Sequence, residues 1–202
     1  MPFLHDHATA IGYLCIYYSA LEHQVNRVIG DLTLIDEEEI RVITNEIDLL
    51  KKMPALKALA FLKKPSAQWY ADIDLFTWAV TSWIIPKRNR FVHDQWLSLP
   101  SGIMRLYERT RIARPQSRKP KTLTTYERVE QNAEEIWELA SETRDMANLF
   151  RLLGAAFRHG RAAVEPEKVF PPQYRDQWRA RRKPPKADKQ EGPCDPDLED
   201  QD

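Results

Sequence analysis

Residues 73–94 read IDLFTWAVTSWIIPKRNRFVHD, an apolar run that passes Pro86 into Lys87-Arg88-Asn89-Arg90-Phe91-Val92-His93-Asp94. Trp69, Ile73, Phe76, Val80 and Trp83 recur at spacings of three and four, and Leu75, Trp78 and Ile85 add apolar surface on other sides. This pattern predicts a helix enclosed by other helices, the centre of an all-α bundle. Pro86 is expected to kink that helix or restart it. A restart would set Arg88 near a helix N-terminus, beside free amides. At 100° per residue, Asn89 and His93 share a helix face with Arg88 on its shoulder. A guanidinium, an amide and an imidazole could then converge on one oxyanion, a kit suited to phosphodiester chemistry without a metal. The spacing alone is a weak signal. Lys87, Arg88 and Arg90 also suit a helix C-terminus, whose dipole stabilises cations, and His93 could simply bond a carbonyl there.

Working upstream, Pro65-Ser66 separates the central helix from the elements before it. A second helix is expected to open at Asp36, a capping residue followed by Glu37, Glu38 and Glu39 at its positive end. Ile40, Ile43, Ile47 and Leu50 should form its buried face. Pro54 should end or kink it, with Leu56, Leu59 and Leu62 in a short following helix. The first helix is expected over Asp6–Leu32, where Ile11, Leu14, Tyr18, Leu21, Val25, Val28 and Leu32 trace one stripe. Glu22 borders that stripe. It reads either as a solvated charge near Arg27 or as a carboxylate orienting Arg88. His5, His7 and His23 read as surface or border residues, without the i, i+4 spacing that a helical metal site favours.

Downstream, Pro100-Ser101-Gly102 signals a turn, and Ile103–Ile112 alternates enough for a strand in a small hairpin. Arg105 and Arg109 belong to a crowd of cations there, read as a solvated loop or as a rim that attracts phosphates. Thr124 and Glu127 form a capping box expected to start a last helix ending near Gly160. From about residue 165 the composition turns to Pro and charge, basic first and acidic at the end. Disorder is expected there, so residues 1–163 should form one helical bundle domain and 164–202 a tail whose removal leaves the fold intact.

The formal net charge is +0, so any RNA binding must come from a local patch. The 2 cysteines, Cys15 and Cys194, show no metal-binding spacing, and no cofactor motif is present. A reduced, cytoplasmic protein fits best. No secretory leader or apolar run of membrane-spanning length is read in the chain.

The Arg88-Asn89-Arg90-Phe91-Val92-His93 segment resembles the RNxxxH motif of HEPN-domain proteins (higher eukaryotes and prokaryotes nucleotide-binding). This all-helical superfamily contains many metal-independent endoribonucleases. Asn89 after the Arg, Val92 before the His and the long apolar helix ahead of the motif all share in the likeness. Tyr18-Ser19-Ala20-Leu21-Glu22 is similar to the first-helix pattern of such proteins, where an acidic residue often lies near the motif. Relatives often place Gly after the His, where this chain has Asp94. The resemblance spans about residues 10–160 in order of elements.

It implies a bundle of four or five helices with a short irregular or β-hairpin insertion. It also implies cleavage of single-stranded RNA by 2′-hydroxyl attack, with Arg88, Asn89 and His93 catalytic. Glu22 and Asp94 would support them, and Lys87, Arg90, Arg105 and Arg109 would hold RNA. No metal or cofactor is implied. Two copies of the motif would face one another in a homodimer, with Trp96 and Leu97 candidates for the contact. A toxin or defence role with an antitoxin-like protein partner would fit. The alternative is a non-catalytic HEPN-like module that binds a protein or nucleotide.

Overall fold

The computed structural model describes residues 2–63, 67–99, 102–113, 121–158 and 172–182; side chains are described within 4–63, 67–99, 102–106, 129–157 and 172–182. The bundle comprises α1 (Pro2–Thr33), α2 (Glu37–Thr44), α3 (Leu49–Leu62), α4 (Ala67–Ala79), a π turn (Val80–Ile84) and α5 (Ile85–His93). Three strands follow, β1 (Gln95–Leu99), β2 (Gly102–Ala113) and β3 (Lys121–Glu130), then α6 (Ala133–Arg158) and α7 (Pro172–Arg182). The architecture is the all-α bundle with a hairpin-type insertion that the periodicities lead one to expect.

The long helices α1 and α6 pack along one another. Leu14, Leu21, Val25 and Val28 of α1 and Ile136, Ala140, Met146, Phe150 and Leu153 of α6 belong to one buried core. Their approach is close where a Cβ on Gly154 would meet Asp31 Oδ2 at 2.9 Å and Val28 Cγ2 at 3.3 Å. In the α4–α5 rod, Trp69, Ile73, Leu75, Phe76, Val80, Ile84 and Ile85 are buried, as an enclosed helix requires.

Two helical joints form without a helix starting or ending at the proline. Pro86 does not restart the central helix. A proline has no N–H, and its ring crowds the carbonyl four residues back, here that of Ser82. The backbone widens by one π turn, with Ile85 N–H bonded to Val80 O, and the helix continues with Pro86 in its next turn. Arg88 therefore stands on a continuous helix and has no free N-terminal amides beside it. Pro54 lies inside α3, and the break falls earlier, between Thr44 and Leu49. That break ends the expected stripe. Ile40 is 2% exposed, whereas Val42, Ile43 and Leu50 are 80%, 55% and 51% exposed. Asp36 caps α2 as expected, its Oδ1 accepting the Glu39 N–H at 2.8 Å.

The insertion is an antiparallel sheet in the order β1-β2-β3. Leu99 pairs with Gly102 at the first turn, and Met104 with Glu130 near the base of the second hairpin. Gly102 adopts φ 139°, a value suited to glycine. Thr124 and Glu127 lie within β3, so their capping box starts no helix. A capping box is a local preference of about 1 kcal/mol, whereas strand pairing satisfies a whole row of backbone groups and suits the β-branched and aromatic residues at 122–129. Instead α6 starts at Ala133, behind Asn132, whose Oδ1 accepts the Glu134 N–H at 3.1 Å.

Within the C-terminal segment, residues 172–182 form α7, and this helix packs against α4. Trp178 is 2% exposed, and Arg175 reaches the buried Asp72 at 2.8 Å. Arg182 bonds Asp74 at 2.8 Å, and Arg181 pairs with Glu142 of α6. The boundary expected after residue 163 therefore does not hold for this helix. The disorder expected for 164–171 and 183–202 falls outside the described residues. Among the described residues, no helix is long and apolar enough to cross a membrane.

Candidate active site

The motif residues sit in the last turns of α5, where the rod meets the sheet. Arg88 is half-buried, while Asn89 and His93 are exposed. Arg88 Nη1 lies 3.1 Å from His93 Nε2 and donates to Asn89 Oδ1 at 3.2 Å. The three side chains thus meet around one guanidinium. Since a guanidinium only donates, a hydrogen bond between the two uses a lone pair on His93 Nε2.

The guanidinium carbon lies 4.7 Å from the centroid of the Tyr18 ring, and Arg88 Nε is buried without a hydrogen-bond partner. Burial raises the Tyr18 pKa, the Arg88 charge opposes that rise, and Glu22 and Asp48 add to it. The first-helix segment singled out in the sequence is therefore beside the motif, through its tyrosine. Glu22 plays neither role expected of it. It pairs with Lys52 of α3 at 2.7 Å, and Lys52 is itself only 3% exposed.

Asp94 also departs from its expected part. Its Oδ2 accepts from Arg105 Nη1 at 3.0 Å, which ties the end of α5 to β2. Arg105 is buried between that carboxylate and the Phe91 ring, 5.5 Å from its centroid, so it offers no open cation to a phosphate. Lys87 lies over the Trp83 ring, 3.8 Å from its centroid. Burial lowers the Lys87 pKa, with Arg181 acting the same way and Glu142 against it. Arg90 is exposed on α5, and the side chain of Arg109 falls outside the described residues.

One further expectation changes. His7 is buried rather than superficial. Its Nε2 donates to the carbonyl of Gln131 at 2.9 Å, and its ring meets Trp96 edge-on at 5.9 Å. Trp96, which is half-buried, in turn donates through Nε1 to the Phe91 carbonyl at 3.0 Å and so braces the motif helix. Leu97 is half-buried.

The pairs Tyr18–Arg88, Lys87–Trp83 and Asp72–Arg175 were missed in the sequence. Two had a signal there, a tyrosine one turn before Glu22 on the stripe of α1 and the four-residue spacing of Trp83 and Lys87 on the central helix. Among the described residues, no group of three or more His, Cys, Asp or Glu could hold a metal ion. No family model matches the sequence, and neither the curated proteins nor the solved structures give a significant match.

Proposed function

We propose that this chain is a metal-independent endoribonuclease that cleaves single-stranded RNA through Arg88, Asn89 and His93, in a HEPN-like bundle. One observation carries the reading: the 3.1 Å contact between Arg88 Nη1 and His93 Nε2 on the open side of α5, with Asn89 on the same guanidinium. A phosphate entering this site offers Arg88 stronger, charge-assisted bonds than an imidazole does. Arg88 then takes the non-bridging oxygens and stabilises the charge that grows on them. His93 Nε2, released, accepts the proton of the attacking 2′-hydroxyl. The P–O2′ bond forms as the P–O5′ bond breaks, and O5′ takes up a proton from water, leaving a 2′,3′-cyclic phosphate and a 5′-hydroxyl. Purified protein is expected to cut single-stranded RNA in excess EDTA and leave cyclic phosphate ends. Cleavage restored only by Mg²⁺ or Mn²⁺ would overturn this mechanism.

One His93 supplies one proton-transfer group, whereas the attacking and leaving oxygens each gain from one. A homodimer with two facing motifs, related by a two-fold axis, completes the set. When wild-type subunits are re-assembled with excess Arg88→Ala, His93→Ala subunits, activity per wild-type chain should fall several-fold. Undiminished activity, or a fully active monomer by light scattering, would sink the composite site.

The second reading is a non-catalytic HEPN-like module for a protein or nucleotide, and one observation favours it. Val42, Ile43 and Leu50 stand exposed at 80%, 55% and 51%, and Val42 shares a shallow groove with Glu38, Arg41 and Glu46. Apolar surface of this kind often marks a protein contact, as an antitoxin-like partner in a cytoplasmic toxin system would use. An inactive wild type in the EDTA assay selects this reading.

A further inference from the structure

We infer that Tyr18 is the positioning residue for Arg88, holding the guanidinium on its aromatic face so that it aims at His93 without losing its charge. The inference rests on the ribonuclease reading for its catalytic consequence, though not for its geometry. Three observations meet here. The guanidinium carbon lies 4.7 Å from the Tyr18 centroid, within the range of an effective cation–π contact. Arg88 Nε is buried and makes no hydrogen bond, as when a ring face rather than an acceptor covers the group. Glu22, the carboxylate one turn along α1 from Tyr18, is engaged by Lys52 at 2.7 Å.

The choice of an aromatic partner has a chemical consequence. A carboxylate in a two-pronged bond would fix the guanidinium and also occupy the donors and neutralise the charge that a phosphate needs. A ring face orients the group through its quadrupole and its flat surface and leaves the donors at the guanidinium edge available. Tyr18 belongs to α1, whose neighbouring Leu14, Leu21 and Val25 are at 0% exposure, so the platform is anchored in the core. Asn89 and His93, both on α5, then fix the direction of Nη1. The ring does this work, not the hydroxyl, so phenylalanine should replace tyrosine and leucine should not.

The test compares Tyr18→Phe and Tyr18→Leu with wild type, with thermal melts to verify that each variant is folded. The Arg88 Nε–H resonance, assigned by its loss in Arg88→Lys, reports the stacking through the ring current and does not depend on activity. It should keep its shifted position in Tyr18→Phe and move towards the free-arginine position in Tyr18→Leu. RNA cleavage in EDTA should stay within about 2-fold of wild type in Tyr18→Phe. In Tyr18→Leu kcat should fall about 10-fold, a transition-state loss of about 1.4 kcal/mol, with KM changed much less. An Arg88 resonance unmoved in folded Tyr18→Leu would overturn the inference, as would a Tyr18→Phe variant that behaves like Tyr18→Leu. If wild type cuts no RNA while the resonance responds as expected, the ribonuclease reading fails and the positioning of Arg88 by Tyr18 stands.

Discussion

An Arg88→Ala, His93→Ala double variant is expected to lose RNA cleavage in EDTA by about 10³-fold or more, while melting within a few degrees of wild type. The magnitude follows from the two effects removed. Proton transfer by a placed side chain is worth about 10²–10⁴-fold, and one donor to a developing oxyanion about 10²–10³-fold. The two do not simply multiply, because residues that act as a unit fail as a unit. Each single variant should therefore lose nearly as much as the double. The fold should survive, since His93 and Asn89 are exposed and Arg88 is only half-buried. Asp94→Ala offers a contrast. It strands the buried Arg105, so it should lower stability first, through the tie between α5 and β2. Double-variant protein that retains more than a tenth of wild-type cleavage would remove these residues from the chemistry.

Truncation after Pro171 is expected to lower the melting temperature by about 10–20 °C. Breaking a buried ion pair by removing one partner costs about 3–5 kcal/mol, and Asp72, at 0% exposure, would lose the Arg175 guanidinium. Trp178 would leave a gap over the rod as well, because it is 2% exposed in the intact chain. In a chain of this size each 1 kcal/mol moves the midpoint by about 2–4 °C. Asp72→Asn in the truncated chain should recover part of the loss, since a neutral amide replaces a buried carboxylate that has lost the Arg175 guanidinium. A truncated chain that melts within about 2 °C of full length would show that α7 contributes nothing.

The same docking has an acid signature. Burial works to raise the Asp74 pKa, but hydrogen bonds from Lys57 and Arg182 outweigh it and hold the carboxyl below its usual range. The stabilisation is thus present above the unfolded carboxyl value, about 3.9, and is lost as pH falls through the lower folded value. Asp74→Asn should remove that part of the acid response from a melting-temperature profile.

Much of this protein is written in local pattern, and local pattern is what one sequence carries. The stripes along α1 and the α4–α5 rod, the Asp36 cap and the turn at Gly102 each depend on residues a few positions apart. So does the meeting of Arg88, Asn89 and His93, which share consecutive turns of one helix. Tertiary structure decided whatever depends on a partner far along the chain. Glu22 lies one turn from Tyr18 on α1, yet its charge goes to Lys52 from α3. Arg105 reads as one of many surface cations until the sheet folds back and Asp94 takes it inside. Thr124 and Glu127 have the chemistry of a helix start, and β2 claims them because a paired strand satisfies more backbone groups than a cap does. Residues 172–182 carry too few apolar side chains to fold by themselves. They are held by contacts to distant helices, among them the pairing of Arg175 with the buried Asp72 of α4 and the burial of Trp178.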